Sequence, residues 1–162
     1  MQRWTGNHGG LRSTTKGFVL HATRGGLSSQ EAEYSSCVNW FLNPASEASS
    51  TIVIGPSGEI TEMVKLPVVC WTTAQHNAEY AAVEMAQGKV NEPLTTAAVD
   101  SLVWYLKNVF FKNYPNLTPS AITLPFHSEL PQGISAGKSD LWTRGDPNGI
   151  AWRNALIERV KA

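Results

Sequence analysis

Short runs of apolar residues rich in Val, Ile and Phe alternate along this chain with longer stretches whose apolar residues recur every three or four positions. A short run suits a buried strand, and the three-to-four spacing suits one face of a helix. Strands and helices interleaved along one chain have to share a core, and the stable solution is a sheet with helices laid against it. The expectation is therefore an α/β fold, a central mixed β-sheet flanked by helices. With 162 residues, of which 42% are hydrophobic, the chain fits one domain. A domain of that size buries roughly two-thirds of its unfolded surface and needs no disulfide or metal staple to fold.

The first strand is expected at Gly17-Phe18-Val19-Leu20-His21, closed by Gly25-Gly26. Residues 1–15 are polar and Gly-rich and read as an arm or loop ahead of a core at 17–160. Ser28 followed by Glu31 has the capping-box spacing. The helix it opens carries Tyr34, Cys37, Val38, Phe41 and Leu42 on one face, and Asn43-Pro44 ends it. Two β-prone runs around Gly55-Pro56-Ser57-Gly58 predict a hairpin over 51–64. Further strands are expected at 68–71, 81–85 and 121–124. A helix after Pro93 buries Val99, Leu102, Val103, Leu106 and Phe110 and stops at Tyr114-Pro115. A last helix from about Asn148 buries Trp152, Ala155, Leu156 and Val160. The expected order is β-α-β-β-β-β-α-β-α.

Charge narrows the partners. Thirteen basic and thirteen acidic residues cancel, and the isoelectric point is near 6.9. Nucleic acid and anionic lipid call for clustered positive charge, which is absent, so neither is an expected partner. No stretch reaches the roughly 20 apolar residues of a membrane span. The N-terminus has no apolar core of a secretory leader, so the expectation is a monomer made in the cytoplasm. Two cysteines, Cys37 and Cys70, are expected as buried thiols rather than a scaffold bridge.

Four histidines are present. His8 and His76 lie in polar stretches and are expected at the surface. His21 and His127 each follow an apolar run, Phe18-Val19-Leu20 and Ile122-Thr123-Leu124-Pro125-Phe126. A histidine at the end of a buried strand can project from the sheet into a cleft, and two such strands side by side bring two imidazoles together. Asp140, across the loop Leu130 to Gly137, supplies a third donor. Two imidazoles and a carboxylate form a three-ligand set that suits a catalytic zinc ion with one open position.

Several segments, in order, resemble the zinc-dependent N-acetylmuramoyl-L-alanine amidases, a family that includes phage endolysins, wall-recycling enzymes and peptidoglycan recognition proteins. Gly17 to Thr23 resembles the first strand and first histidine ligand, and Ile52 to Ile60 resembles the following hairpin. Val69-Cys70-Trp71 with Asn77 resembles the tryptophan segment, and Ala82-Val83-Glu84-Met85 the Ile-Glu strand. His127-Ser128-Glu129-Leu130 resembles the second histidine motif, and Gly137-Lys138-Ser139-Asp140 the end of the site. The similarity spans roughly residues 17–160.

The resemblance implies hydrolysis of the amide between N-acetylmuramic acid and L-alanine in peptidoglycan, as in an endolysin released to the cell wall. It implies zinc held by His21, His127 and Asp140, with Glu84 as acid/base and Lys138 beside the developing oxyanion. Trp71, Thr72 and Asn77 would contact the muropeptide. Three departures stand out. Thr72 follows Trp71 where the family often has histidine, Ser50 precedes the hairpin where some members have tyrosine, and Leu141 rather than proline follows Asp140. Asp146, in Arg144-Gly145-Asp146-Pro147, is a second candidate for the third ligand, and Asp140 is preferred because Lys138 stands two residues before it. The alternative function is a recognition domain that binds peptidoglycan without cutting it.

Overall fold

A computed structural model describes all residues from Met1 to Ala162. The strands are β1 (His8–Leu11), β2 (Gly17–Ala22), β3 (Ile52–Ile54), β4 (Ile60–Glu62), β5 (Val68–Cys70) and β6 (Tyr80–Met85). The helices are α1 (Gln30–Leu42), α2 (Thr96–Tyr105), α3 (Phe111–Asn113), α4 (Pro131–Ser135) and α5 (Pro147–Lys161), and a wider π turn at Leu106–Phe110 joins α2 to α3. The main sheet has the order β2-β6-β3-β4. β2 and β3 both run parallel to β6, and β4 returns antiparallel to β3 through the expected hairpin. The fold is the expected mixed sheet flanked by helices.

Side chains alternate across a strand, and that alternation divides the core in two. Phe18, Leu20, Ile52, Ile54, Val83 and Met85 face α2 and α5, where Leu102, Leu106, Phe110, Leu156 and Val160 complete one cluster. Val19, Val53 and Ala82 face α1 and pack on Val38 and Phe41 with Met63 and Cys70. His21 and Glu84 continue the second set. They are paired neighbours in the parallel β2–β6 register, on the α1 face at the carboxyl ends of their strands. Open α/β sheets bind ligands at that edge.

Several expectations are corrected. Residues 1–15 are not a free arm. β1 pairs antiparallel with β5, Thr5 and Asn7 are buried, and Arg12 donates to the carbonyls of Leu66, Val68 and Tyr80. The cap of α1 is Ser29, not Ser28. Ser29 is extended and its hydroxyl accepts from Ala32 N. Glu33, rather than Glu31, turns back, accepting from the amides of Gly25 and Leu27. On the predicted face of α1, Val38 and Phe41 are buried while Tyr34, Cys37 and Leu42 are half-buried.

No strand forms at 121–124. The hydroxyls of Ser120 and Thr123 fold that stretch into a turn, and the segment meets β2 only through single hydrogen bonds to Thr123 O and Pro125 O. Pro125 has no amide hydrogen to donate, so a regular ladder cannot continue there. The approach is close: a Cβ on Gly17 would lie 2.3 Å from Thr123 O, so only glycine fits. On α5, Leu156 and Val160 are buried as expected and Trp152 is half-buried, whereas Ala155 is exposed and Arg153 and Ile157 are buried.

Leu102 is fully buried on α2 while Trp104, two residues on, is 55% exposed. Leu102→Ala is expected to lower unfolding free energy in urea by about 2–5 kcal/mol, and Trp104→Ala by less than about 0.5 kcal/mol.

Candidate metal centre and cleft

The site is built where three chain segments meet. β2 delivers His21, which is 2% exposed. The turn after Phe126 delivers His127, held because Leu20 and Phe126 form a parallel bridge. The loop after α4 delivers Asp140, whose carbonyl accepts from Ser128 N. Nδ1 of His21 lies 3.2 Å from Asp140 Oδ2, and Nδ1 of His127 lies 3.3 Å from the same oxygen. The two rings are 4.3 Å apart between centroids. A ligand atom from each of the three residues lies within 4.8 Å of the others.

The electrostatics set the charges. Burial lowers the pKa of His21 against the pull of Asp140, which favours the neutral imidazole. Burial pushes Asp140 upward, yet the hydrogen bonds to His127 and His21, with their charges, outweigh it and hold the carboxyl well below its ordinary range. His127 Nε2 lies 2.8 Å from Gln132 Oε1. With a ring N–H at Nε2 donating to that oxygen, Nδ1 is the nitrogen left to bind an ion. Ligands about 2.0–2.1 Å from a tetrahedral zinc sit about 3.3–3.4 Å from each other, close to the spacings here. The donor set therefore fits a divalent ion, and the Gln132 contact is the kind of outer partner that orients a ligating histidine.

Glu84 stands beside this cluster. Its Oε1 is 4.0 Å from His21 Nδ1, and its Oε2 is buried with no hydrogen-bond partner. Burial, then repulsion from Asp140, raises its pKa well above the usual carboxyl value, with Lys138 pulling the other way. Such a carboxyl exchanges a proton nearer neutrality than a solvated one. Lys138 is exposed and lines the same polar cleft of about 470 Å3, and its ammonium is free to meet a ligand.

A second lobe of about 320 Å3 joins the first through Thr23, Thr72 and Glu84. Trp71 and Thr72 form one wall, and Cys37 and Trp40 of α1 form the other. Trp71 is half-buried, so it is neither core nor free surface. Asn77 stands behind this wall. Its Oδ1 accepts from the amides of Thr72 and Thr73 and so fixes where Thr72 sits. Cys37 and Cys70 are both free. Cys37 is only half-buried in the lobe wall, where burial and then Glu84 and Glu33 push its thiol well up.

Asp140 joins the two histidines, and Asp146 does not. Asp146 Oδ1 accepts from Asn148 and Gly149 N and caps α5. Of the other histidines, His8 is exposed as expected, whereas the His76 side chain is only 16% exposed and bonds Glu79. Sequence reasoning missed Arg24, Gln132 and Trp40. Trp40 lies off the apolar face read for α1 and lines the second lobe beside Cys37.

Fold and site together define an α/β protein with a ligand-type His-His-Asp cluster at the mouth of its parallel strands. The sequence profile of the N-acetylmuramoyl-L-alanine amidases matches residues 11–146, and the chain belongs to that family. No curated protein matches it in sequence. Among solved structures it is similar to AmpD, with TM-score 0.66 and 17% identity over 96% of this chain and 93% of the other. The catalytic domain of XlyA gives 0.65 and 15% over 99% and 97%. Escherichia coli AmiD, solved with anhydro-N-acetylmuramic acid-L-Ala-D-gamma-Glu-L-Lys, gives 0.65 and 14% over 86% and 57%. No helix is long and apolar enough to cross a membrane.

Removing each carboxylate should separate these roles. Asp140→Ala is expected to abolish tight binding of one divalent ion in a chelator-competition titration. Asp146→Ala should leave that binding intact and lower stability by about 1 kcal/mol through loss of the helix cap.

Proposed function

We infer that the protein is a zinc-dependent amidase acting on peptidoglycan, hydrolysing the bond between N-acetylmuramic acid and L-alanine. The carrying observation is the convergence of His21 Nδ1, His127 Nδ1 and an ionised Asp140 in a cleft open to solvent, in a chain of the amidase family. His21, His127 and Asp140 would hold the ion. Bound zinc supplies a Lewis acid for the scissile carbonyl and makes water a usable nucleophile near neutral pH.

The chain's own residues do the remainder. Glu84, whose Oε1 faces His21 Nδ1 at 4.0 Å, takes a proton from water and returns it to the departing amine of L-alanine. Its raised pKa suits both halves of that exchange. Lys138 brings positive charge to the oxygen that becomes negative as the carbonyl is attacked. Trp71 and Thr72, with Trp40 opposite, hold the stem peptide in the second lobe. Asn77 acts behind them by fixing Thr72. Residues 1–162 form one catalytic domain working as a monomer. The role is that of an endolysin, lytic toward bacteria once it reaches the wall.

Purified peptidoglycan incubated with the protein should release peptides carrying free L-alanine amino ends. A chelator should stop release and added zinc restore it. Binding without release would instead favour a recognition domain. Glu84→Gln should keep its zinc, measured by elemental analysis, and lose about 10²–10⁴-fold in turnover. Turnover at the normal rate would remove Glu84 from the proton transfer.

A further inference from the structure

Asp140 reaches the cluster from a segment with no regular secondary structure, between the end of α4 at Ser135 and the start of α5 at Pro147. Something has to fix that loop, because a ligand displaced by an ångström no longer shares an ion with two buried histidines. The side chain that meets the loop on both sides of Asp140 is Arg24. Its Nη1 donates to Ser139 Oγ at 2.6 Å and its Nη2 to Leu141 O at 2.7 Å. Its Nε donates to Gln87 Oε1 at 2.9 Å. Gln87 is itself 4% exposed and anchored by donating to Glu92 O at 2.7 Å. One planar guanidinium thus ties the residues before and after Asp140 to the end of β6.

The backbone at Arg24 supports a positioning role. Arg24 adopts φ of +48°, a left-handed conformation uncommon for a long side chain. Such a conformation costs of order 1–3 kcal/mol and persists where surrounding contacts require it. Here Arg24 N donates to Gln87 O, which turns the side chain from the end of β2 across the cleft floor toward the Asp140 loop. Lysine cannot reproduce this arrangement, since a point ammonium lacks the fixed fork of donors.

We propose that Arg24 is the positioning residue of the metal centre, clamping Ser139 and Leu141 so that Asp140 meets His21 and His127. This rests on the reading of the cluster as a metal site. Arg24 acts on the ion through Asp140, by its hydrogen bonds to Ser139 Oγ and Leu141 O.

The test is a titration of metal-free protein with Co2+, following its visible absorption, for the wild type, Asp140→Ala, Arg24→Gln, Arg24→Lys and Ser139→Ala. Arg24→Gln is expected to weaken Co2+ binding about 10–100-fold, with Arg24→Lys between it and the wild type. Ser139→Ala, which removes one acceptor, should weaken binding by less. Circular dichroism of the metal-free variants separates this from general unfolding. If Arg24→Gln does not fold, Arg24→Lys and Ser139→Ala decide the matter, since each keeps part of the network. Folded Arg24 variants that bind Co2+ as tightly as the wild type would overturn the clamp. A wild type that takes up no Co2+, or an Asp140→Ala variant that binds it equally well, would overturn the metal reading itself and the clamp with it.

Discussion

The parallel register between β2 and β6 is the constraint on which the rest of the site depends. It sets His21 beside Glu84, on the sheet face that carries Val19, Val53 and Ala82 into the α1 cluster. A slip of one residue in either strand would turn its site residue toward α2 and α5. The register is held because the alternate residues Phe18, Leu20, Val83 and Met85 are fully buried on the opposite face. The same packing that stabilises the fold therefore fixes the distance between one metal-type ligand and the neighbouring carboxyl.

Around that pair the remaining parts come from irregular chain, and each is tied down by a specific contact. His127 follows a segment that runs beside β2 through the amides of Phe18 and Leu20. Its ring is oriented by Gln132, and Gly133 leaves room for the turn, because a Cβ there would fall 1.9 Å from His127 O. Asp140 is fixed by Ser128 N at its own carbonyl and by Arg24 on either side. Regular structure supplies the rigid half of the site, and hydrogen bonds to loops supply the adjustable half. Catalytic constellations require that second kind of support.

Much of this was legible in the sequence. Phe18-Val19-Leu20-His21 is a buried run with a titratable residue at its end, and period-two alternation puts His21 on a definite face. The hairpin over Gly55-Pro56-Ser57-Gly58 and the stripe on α2 likewise follow from turn chemistry and helical period. What could not be read shares a physical cause. Strand β1 has almost no apolar signal, since His8-Gly9-Gly10-Leu11 forms a strand only because β5 offers its edge and Arg12 bonds three carbonyls. The segment at 121–124 has strand composition, yet Pro125 and the Ser120–Thr123 hydroxyls turn it. Arg24 and Gln132 are polar residues in loops, and their roles exist only through partners distant in sequence.

The chemistry attributed to the protein reduces to one arrangement: two imidazoles turning Nδ1 toward one carboxylate oxygen, with a cation among them. Crystals grown with zinc and measured on both sides of its absorption edge would test this directly. The account predicts one strong anomalous peak bonded to His21 Nδ1, His127 Nδ1 and Asp140, with a fourth position open to the cleft. A peak bonded through Nε2, one that excludes Asp140, or none at this site would contradict it.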